Sequence, residues 1–331
     1  MLEDSKKALA IEISNSYENN LLDNRYILRE SLGSGSFGEV YKVLDIYTQK
    51  IMAAKIFKIT KEDDKSFEKE EYILKRINEY ETISCIKYYD SGIGTLIKDN
   101  TQQQIKYIIM EYGSKENLLD KIKKTSNGFS EEVGKYFLYK LIQGVKSLHK
   151  IGISHRDIKP ENIVFVGDKY EIKLCDFGLA IPFLNGKNEK LYIKVPAGSK
   201  PYKAPEIIRK IPYDGEKSDV FSIGVTLFTF LTNKFPFQSY KTFSEINQSL
   251  YYLIYKNKID EYWNTLETFD EIKSKALSPE FKELFIKMVK YSPKKRITLD
   301  EIMDSKWMEN IKYASYDYLE MLRYKMIEEM H

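Results

Sequence analysis

His155-Arg156-Asp157-Ile158-Lys159-Pro160-Glu161-Asn162 is the stretch whose reading decides the fold. One short loop here holds two acids, two cations and an amide. An Asp carboxylate accepts a proton from a hydroxyl, a Lys ammonium neutralises phosphate oxygens, and an Asn carbonyl is a hard oxygen ligand suited to Mg²⁺. Further along stands Asp176-Phe177-Gly178, whose acid supplies a second such ligand. In this order, the two runs are the equipment for moving a phosphoryl group from ATP to an alcohol. A lone Asp in a polar loop is more often a turn or cap residue, so the rest of the chain has to decide.

Upstream, Gly33-Ser34-Gly35-Ser36-Phe37-Gly38 has the Gly-x-Gly-x-x-Gly spacing that lets backbone N–H groups approach anionic oxygens. A dinucleotide-binding fold shares the spacing, but there the glycines open a helix. Here a strand-like run follows, so the glycines are expected to bend a hairpin; an ordinary glycine-rich turn is the plain alternative. Alternation through residues 38–44 and 51–59 predicts half-buried antiparallel strands. Residues 65–79 instead set Phe67, Glu70, Leu74 and Ile77 on one helical face. Residues 91–104, with Gly92, Gly94, Asp99 and Asn100, read as a long hairpin loop.

Beyond Gly113 helices dominate. Ser130 opens one running to about His149, residues 219–232 are apolar almost all round, and Ser278-Pro279 fits an N-cap followed by proline. Residues 1–24 are polar and offer either a short helix over 6–14 or disorder. Leu319, Leu322, Met326 and Met330 form one helical stripe near the C-terminus. That stripe reads as a docked helix or as an autoinhibitory, partner-binding segment.

Composition narrows the class. Apolar residues make up 43% and charged residues 31%, ordinary for a globular protein. A net charge of +3 is too small to argue for nucleic acid or an anionic membrane. No apolar run approaches the roughly 20 residues needed to span a bilayer. The first residues lack a signal-peptide layout, and Leu2 excludes N-myristoylation. Cys85 and Cys175 make neither a disulfide framework nor a zinc site. The expectation is an intracellular protein, in the cytoplasm by default, with the nucleus still open.

With these motifs in this order, the chain resembles the eukaryotic Ser/Thr protein kinase family, closest to its calcium/calmodulin-dependent kinase-like branch. The resemblance spans about residues 26–308. It implies an α+β, two-lobed protein kinase fold, with a small antiparallel-sheet N-lobe carrying one main helix and a larger helical C-lobe. The division would be an N-terminal extension (1–25), N-lobe (26–112), C-lobe (113–308) and helical tail (309–331). It implies an ATP-dependent signalling phosphotransferase that uses ATP and Mg²⁺ on protein Ser/Thr acceptors, with a possible regulatory partner for the tail.

The resemblance also assigns residues. Asp157 would act as base or orient the hydroxyl, Lys159 would neutralise the moving phosphoryl group, and Asn162 and Asp176 would hold magnesium. Lys55, in Ala53-Ala54-Lys55-Ile56, would grip the α- and β-phosphates and pair with Glu70, whose Glu70-x-x-x-Leu74 register fits. Gly33, Gly35 and Gly38 would cradle the phosphates, and Val40, Ala53 and Val164 would sandwich the adenine. Met110 would close the back of that pocket, and the backbone of Glu111 and Gly113 would bond the base. Glu161 and Asn117 complete the nucleotide set. Asn117 stands where many relatives carry an acid for the ribose and a substrate arginine, which counts against arginine-directed specificity.

Four framework expectations follow from the same resemblance. His155 would pack rather than react, against Phe177, Leu74 and Tyr88, with Asp219 beneath. Glu206, in Ala204-Pro205-Glu206, would pair with Arg296. Arg156 normally receives a phosphate from the activation segment, but the matching position is Val195. Arg156 therefore needs another anion (Glu189, or a phosphate on Tyr192 or Ser199), or the segment must order without one. The alternatives are a pseudokinase scaffold and a small-molecule phosphotransferase of related fold; Gly198-Ser199-Lys200-Pro201-Tyr202 counts against the latter.

Overall fold

Along strand β3 (Gly38–Asp45), Tyr41, Val43 and Asp45 are buried while their neighbours are not, the alternation its sequence predicts. It pairs with β2 (Tyr26–Gly35) and with β4 (Ile51–Lys58). Strands β1 (Asn20–Leu22), β5 (Tyr88–Lys98) and β6 (Thr101–Glu111) complete an antiparallel sheet in the order β1-β2-β3-β4-β6-β5. Because β1 pairs with both β2 and β5, the sheet closes into a barrel. Leu22, Leu28, Val43, Ala54, Ile105 and Ile109 fill its interior. Helix α1 (Lys61–Glu79) begins at an N-cap, Thr60, and buries the predicted face of Phe67, Glu70, Leu74 and Ile77.

The structure, a computed structural model, describes residues 20–35, 38–82, 84–114, 116–237, 250–269 and 277–330. The helix considered over residues 6–14 lies outside them. The chain divides into two units, one drawn from Met1–Glu81 and Cys85–Lys115, the other from Thr82–Ser84 and Glu116–His331. The α+β class holds: a small antiparallel sheet with one main helix, then a larger helical unit.

Three readings of the first unit need correction. Residues 91–104 are not a loop: β5 and β6 run to a tight turn at Asp99 and Asn100, both in the left-handed region with φ 50° and 60°. Those two residues suit a primed hairpin turn. Gly92 and Gly94 are strand residues that make room for Tyr107; a Cβ on Gly94 would stand 2.9 Å from that ring. The Tyr107 hydroxyl crosses to Asp23 at 2.9 Å. Second, β4 does not alternate, because Met52 to Phe57 are all buried. Third, the polar N-terminal extension ends in the sheet, where β1 supplies the closing strand.

The second unit contains helices α2 (Leu118–Lys124), α3 (Glu131–Lys150), α4 (Pro205–Ile208) and α5 (Gly215–Thr232). Then come α6 (Tyr251–Tyr255), α7 (Ile259–Phe269), α8 (Pro279–Met288), α9 (Leu299–Met303), α10 (Glu309–Lys312) and α11 (Tyr316–Glu329). Short strands β7 (Ile153–Ser154) and β10 (Ile181–Pro182) pair, as do β8 (Ile163–Val166) and β9 (Glu171–Leu174). Helix α5 is buried almost all round, as its apolar sequence requires. Ser130 and Ser278 are N-caps, with Pro279 opening α8. Among the described residues no helix is long and apolar enough to cross a membrane.

Helix α11 settles the tail as docked. It packs on α3, with Leu322 and Met326 fully buried. Arg323 donates to the Lys169 carbonyl at 2.9 Å, and Glu329 accepts from the Ser130 N–H at 2.9 Å. Leu322→Ala should destabilise the protein by about 2–5 kcal/mol, the usual cost of a core truncation. Met321→Ala, on the exposed side of the same helix, should stay within about 0.5 kcal/mol. Thermal or urea unfolding of the two variants measures the difference.

Candidate active site

Helix α5 has one acid among its buried residues, and it faces the loop that follows β7. Asp219 is fully buried and accepts from the Arg156 N–H at 2.9 Å and the His155 N–H at 3.1 Å. His149 Nε2, in the last turn of α3, lies 2.8 Å from the same carboxylate. Burial pushes the Asp219 carboxyl up, but the bonds from His149 and Arg156 outweigh it and hold it below the ordinary aspartate range. Arg156 consequently adopts a left-handed backbone, φ 65°, that a non-glycine residue keeps only when its surroundings fix it.

That strained turn aims Asp157. Its carboxylate takes the Lys159 ammonium at 2.8 Å, the Ser199 N–H at 2.7 Å and the Asn162 amide at 3.2 Å. Asn162 also donates to the Asp157 carbonyl at 2.9 Å. Lys159 reaches on to the Ser199 hydroxyl at 2.7 Å. The Asp157 carboxylate is thus pinned from its own loop and from the segment before α4. His155 is spoken for: Nε2 lies 3.1 Å from the Cys175 carbonyl, and Nδ1 accepts from the Asp157 N–H at 3.3 Å. Both ring nitrogens are thus engaged within the protein. Its ring sits 5.1 Å from that of Phe177, as a packing residue should.

The β8–β9 hairpin brings Asn162 and Asp176, the two candidate oxygen ligands, close to each other in the fold. Ile163 is paired with Leu174, and the Cys175 N–H donates to the Asn162 carbonyl at 3.0 Å. Asn162 is therefore next to the exposed Asp176, itself left-handed at φ 59°. The Asn162 side-chain nitrogen is taken by Asp157, which leaves its oxygen to face a cation. Among the described residues no group of three or more His, Cys, Asp or Glu side chains could hold a metal. One carboxylate and one amide oxygen fit Mg²⁺, which keeps waters and substrate phosphates as its other ligands.

In the first unit, Lys55 on β4 pairs with Glu70 on α1 at 2.7 and 2.8 Å, both nearly fully buried. Lys55 stands opposite Val40, and Ala53 opposite Met110. Gly33 and Gly35 face Val40 and Gly38 across the β2–β3 hairpin, so the glycines do bend a hairpin. Gly38 needs its hydrogen: φ is 131°, and a Cβ would meet the Ile56 carbonyl oxygen at 2.4 Å. The Glu111 N–H and side chain are both bonded to Lys87, and Gly113 lies just past β6.

In the second unit, Val164 is half-buried on β8. Asn117 is a helix cap: its side chain accepts from the Asp120 N–H at 3.1 Å in a capping box opening α2. Glu161 keeps one buried carboxylate oxygen without a hydrogen bond. Glu206 and Arg296 form the expected buried two-point pair at 2.7 and 2.9 Å.

Arg156 makes no ion pair with Glu189, which bonds Asn185 instead. Its guanidinium donates to the carbonyls of Leu179 at 2.7 Å and Val195 at 2.8 Å, and to the Tyr213 hydroxyl at 3.2 Å. Tyr213 also donates to Val195 and pairs its backbone with Ile193. Sequence reasoning missed Tyr213 and His149. Tyr213 is 57 positions from Arg156, and nothing local marks it. His149 had a signal: it is one of three histidines and sits at the end of a buried helix.

The protein kinase domain profile matches residues 26–308. The chain is similar to a human SNF-related serine/threonine-protein kinase, 28% identical over 310 residues, 92% of this chain and 36% of the relative. It is 29% identical to the Drosophila melanogaster serine/threonine-protein kinase grp over 302 residues, 89% of this chain and 53% of that one. It is 28% identical to CBL-interacting protein kinase 30 of Oryza sativa subsp. japonica over 294 residues, 89% and 56% respectively. The match thus takes in between about a third and just over half of these relatives' length.

Asp219 should set part of the acid limb of stability. A carboxyl held below its ordinary value stabilises the fold fully above that value, and the contribution is lost as pH falls through the depressed one. Asp219→Asn should cost at least about 1–3 kcal/mol at neutral pH, because donors lose an acceptor. The gap between wild type and variant should hold at neutral pH and narrow below about pH 4. Urea unfolding at stepped pH reads both features.

Proposed function

The chain belongs to the protein kinase domain family, and from that premise we propose that it is an active Ser/Thr protein kinase using Mg²⁺-ATP. The observation that carries the proposal is the three-way tethering of Asp157 by Lys159, Asn162 and the Ser199 backbone, next to the Arg156 turn that Asp219 anchors. An acid so positioned can orient an alcohol and take its proton. Lys159, bridging Asp157 and Ser199, supplies positive charge where a phosphoryl group would pass. Asn162 and Asp176 would hold magnesium, which would screen the phosphates' charge. Lys55, fixed by Glu70, would hold the α- and β-phosphates. Gly33, Gly35 and Gly38 would cover them, with Val40, Ala53 and Met110 of the same unit against the adenine. The similar human and Drosophila serine/threonine-protein kinases favour Ser/Thr over Tyr acceptors. A pseudokinase is disfavoured, since each of these positions carries the residue the chemistry needs. We place the protein inside the cell, where its substrates would be other proteins.

Asp157→Asn should keep ATP binding and lose on the order of 10²–10⁴-fold in phosphoryl transfer, the range for a positioned acid–base group. Lys55→Met should also cripple turnover. Peptide phosphorylation at near wild-type rates by both variants would reject the mechanism.

Activity should not require a phosphate on the activation segment. Arg156, the residue that would receive one, is satisfied by Leu179, Val195 and Tyr213. Phosphatase-treated protein, with residues 176–206 verified unmodified by mass spectrometry, should keep its rate within about tenfold, or 1.4 kcal/mol in the barrier. A larger loss would mean that a phosphate elsewhere in the segment does the ordering.

A further inference from the structure

The segment from Lys187 to Lys203 has five lysines and one acid, Glu189. Lys190 is neutralised by Asp214 and Glu216. Lys200 and Lys203 take part in no ion pair found among the described residues. Both follow within four residues of Ser199, whose backbone bonds the proposed base Asp157. Lys200 is exposed, while Lys203 is half-buried with its stem near Gly198. A half-buried lysine that makes no ion pair is one that an arriving anion would favour. Burial holds the Lys203 ammonium below the ordinary lysine range; Asp157 opposes that shift and Lys200 reinforces it.

We propose that Lys200 and Lys203 recognise an anionic residue beside the acceptor hydroxyl, so that the preferred substrates are acidic or already phosphorylated peptides. The inference rests on the kinase reading above and names its substrate class. Two features bear on the opposite choice, a basic peptide. Asn117 is neutral and occupied in capping α2. Glu161 is the acid that could receive a cation, through its unbonded buried oxygen. Lysine serves as a point charge, so it accepts a carboxylate or a phosphate alike, and the experiment must separate these.

The test uses the full chain and one serine peptide in four versions, with Glu, phosphoserine, Ala or Arg at the positions flanking the acceptor. Wild type should phosphorylate the Glu or phosphoserine version with kcat/KM at least about tenfold above the Ala version, and this ratio should shrink as salt rises. If only the phosphoserine version gains, the anion recognised is a phosphate; if both gain, charge alone suffices. K200A/K203A should collapse the ratio, Lys203→Arg should retain it, and K200E/K203E should reverse it toward Arg. Equal rates on all four peptides, or an Arg preference in wild type, would overturn the inference while leaving the kinase reading intact. No transfer to any of them, or to a generic protein substrate, would remove both. The wild-type ratios decide the matter even if the charge-reversed variant fails to fold.

Discussion

One buried carboxylate organises the larger unit. Asp219 has no access to water, so its charge must be met by protein donors, and it draws on two consecutive backbone N–H groups and a histidine. That demand bends the chain at Arg156 into a conformation its side chain would otherwise disfavour. The bend separates the roles of three neighbours. His155 turns inward to pack on Phe177, Asp157 turns toward Lys159 and Ser199, and Arg156 turns toward the activation segment. Without the anchor, those three side chains would have no fixed divergence. The rigid helix behind it makes the placement precise, since α5 is packed on nearly every side.

Much of this was legible in the sequence because it is local. The order His155 to Asn162 and the Asp176 triplet are short-range patterns whose chemistry is stated by residue type, and the Lys55–Glu70 pair was implied by the family resemblance. Helix α5 was legible from its nearly all-round apolarity and the tail stripe from periodicity. What failed was of a different kind. Gly92 and Gly94 looked like loop residues because glycine usually punctuates, yet here they clear space for a tyrosine on the adjacent strand. That contact depends on pairing between β5 and β6, which no local window contains. Strand β4 lost its alternation because both of its faces are covered, again a property of the assembled unit. The closing strand β1 is three residues long and carries no period to detect.

The activation segment shows the same limit in a functional setting. The sequence posed a choice for Arg156, between an anion and an uncharged partner, because Val195 cannot carry a phosphate. Only the fold supplies the answer, since the Leu179 and Val195 carbonyls and Tyr213 converge from three separate stretches. A guanidinium has five N–H donors in a fixed fork, so neutral acceptors can saturate it when they are placed around it.

The two halves of the segment then follow from one constraint. Its inner side is tied down without an anion: Ile181 pairs with Ser154, Ile193 with Tyr213, and the Val195 carbonyl accepts from Arg156. Among the described residues, Lys190 is the one lysine of the segment in an ion pair, meeting Asp214 and Glu216. The remaining positive charge stays on the outer side, next to Ser199 and hence next to Asp157. In a segment that needed a phosphate for order, some of that charge would be consumed by the phosphate. Here it is left over, and an anion brought by a substrate is the partner that the proposed chemistry makes available to it.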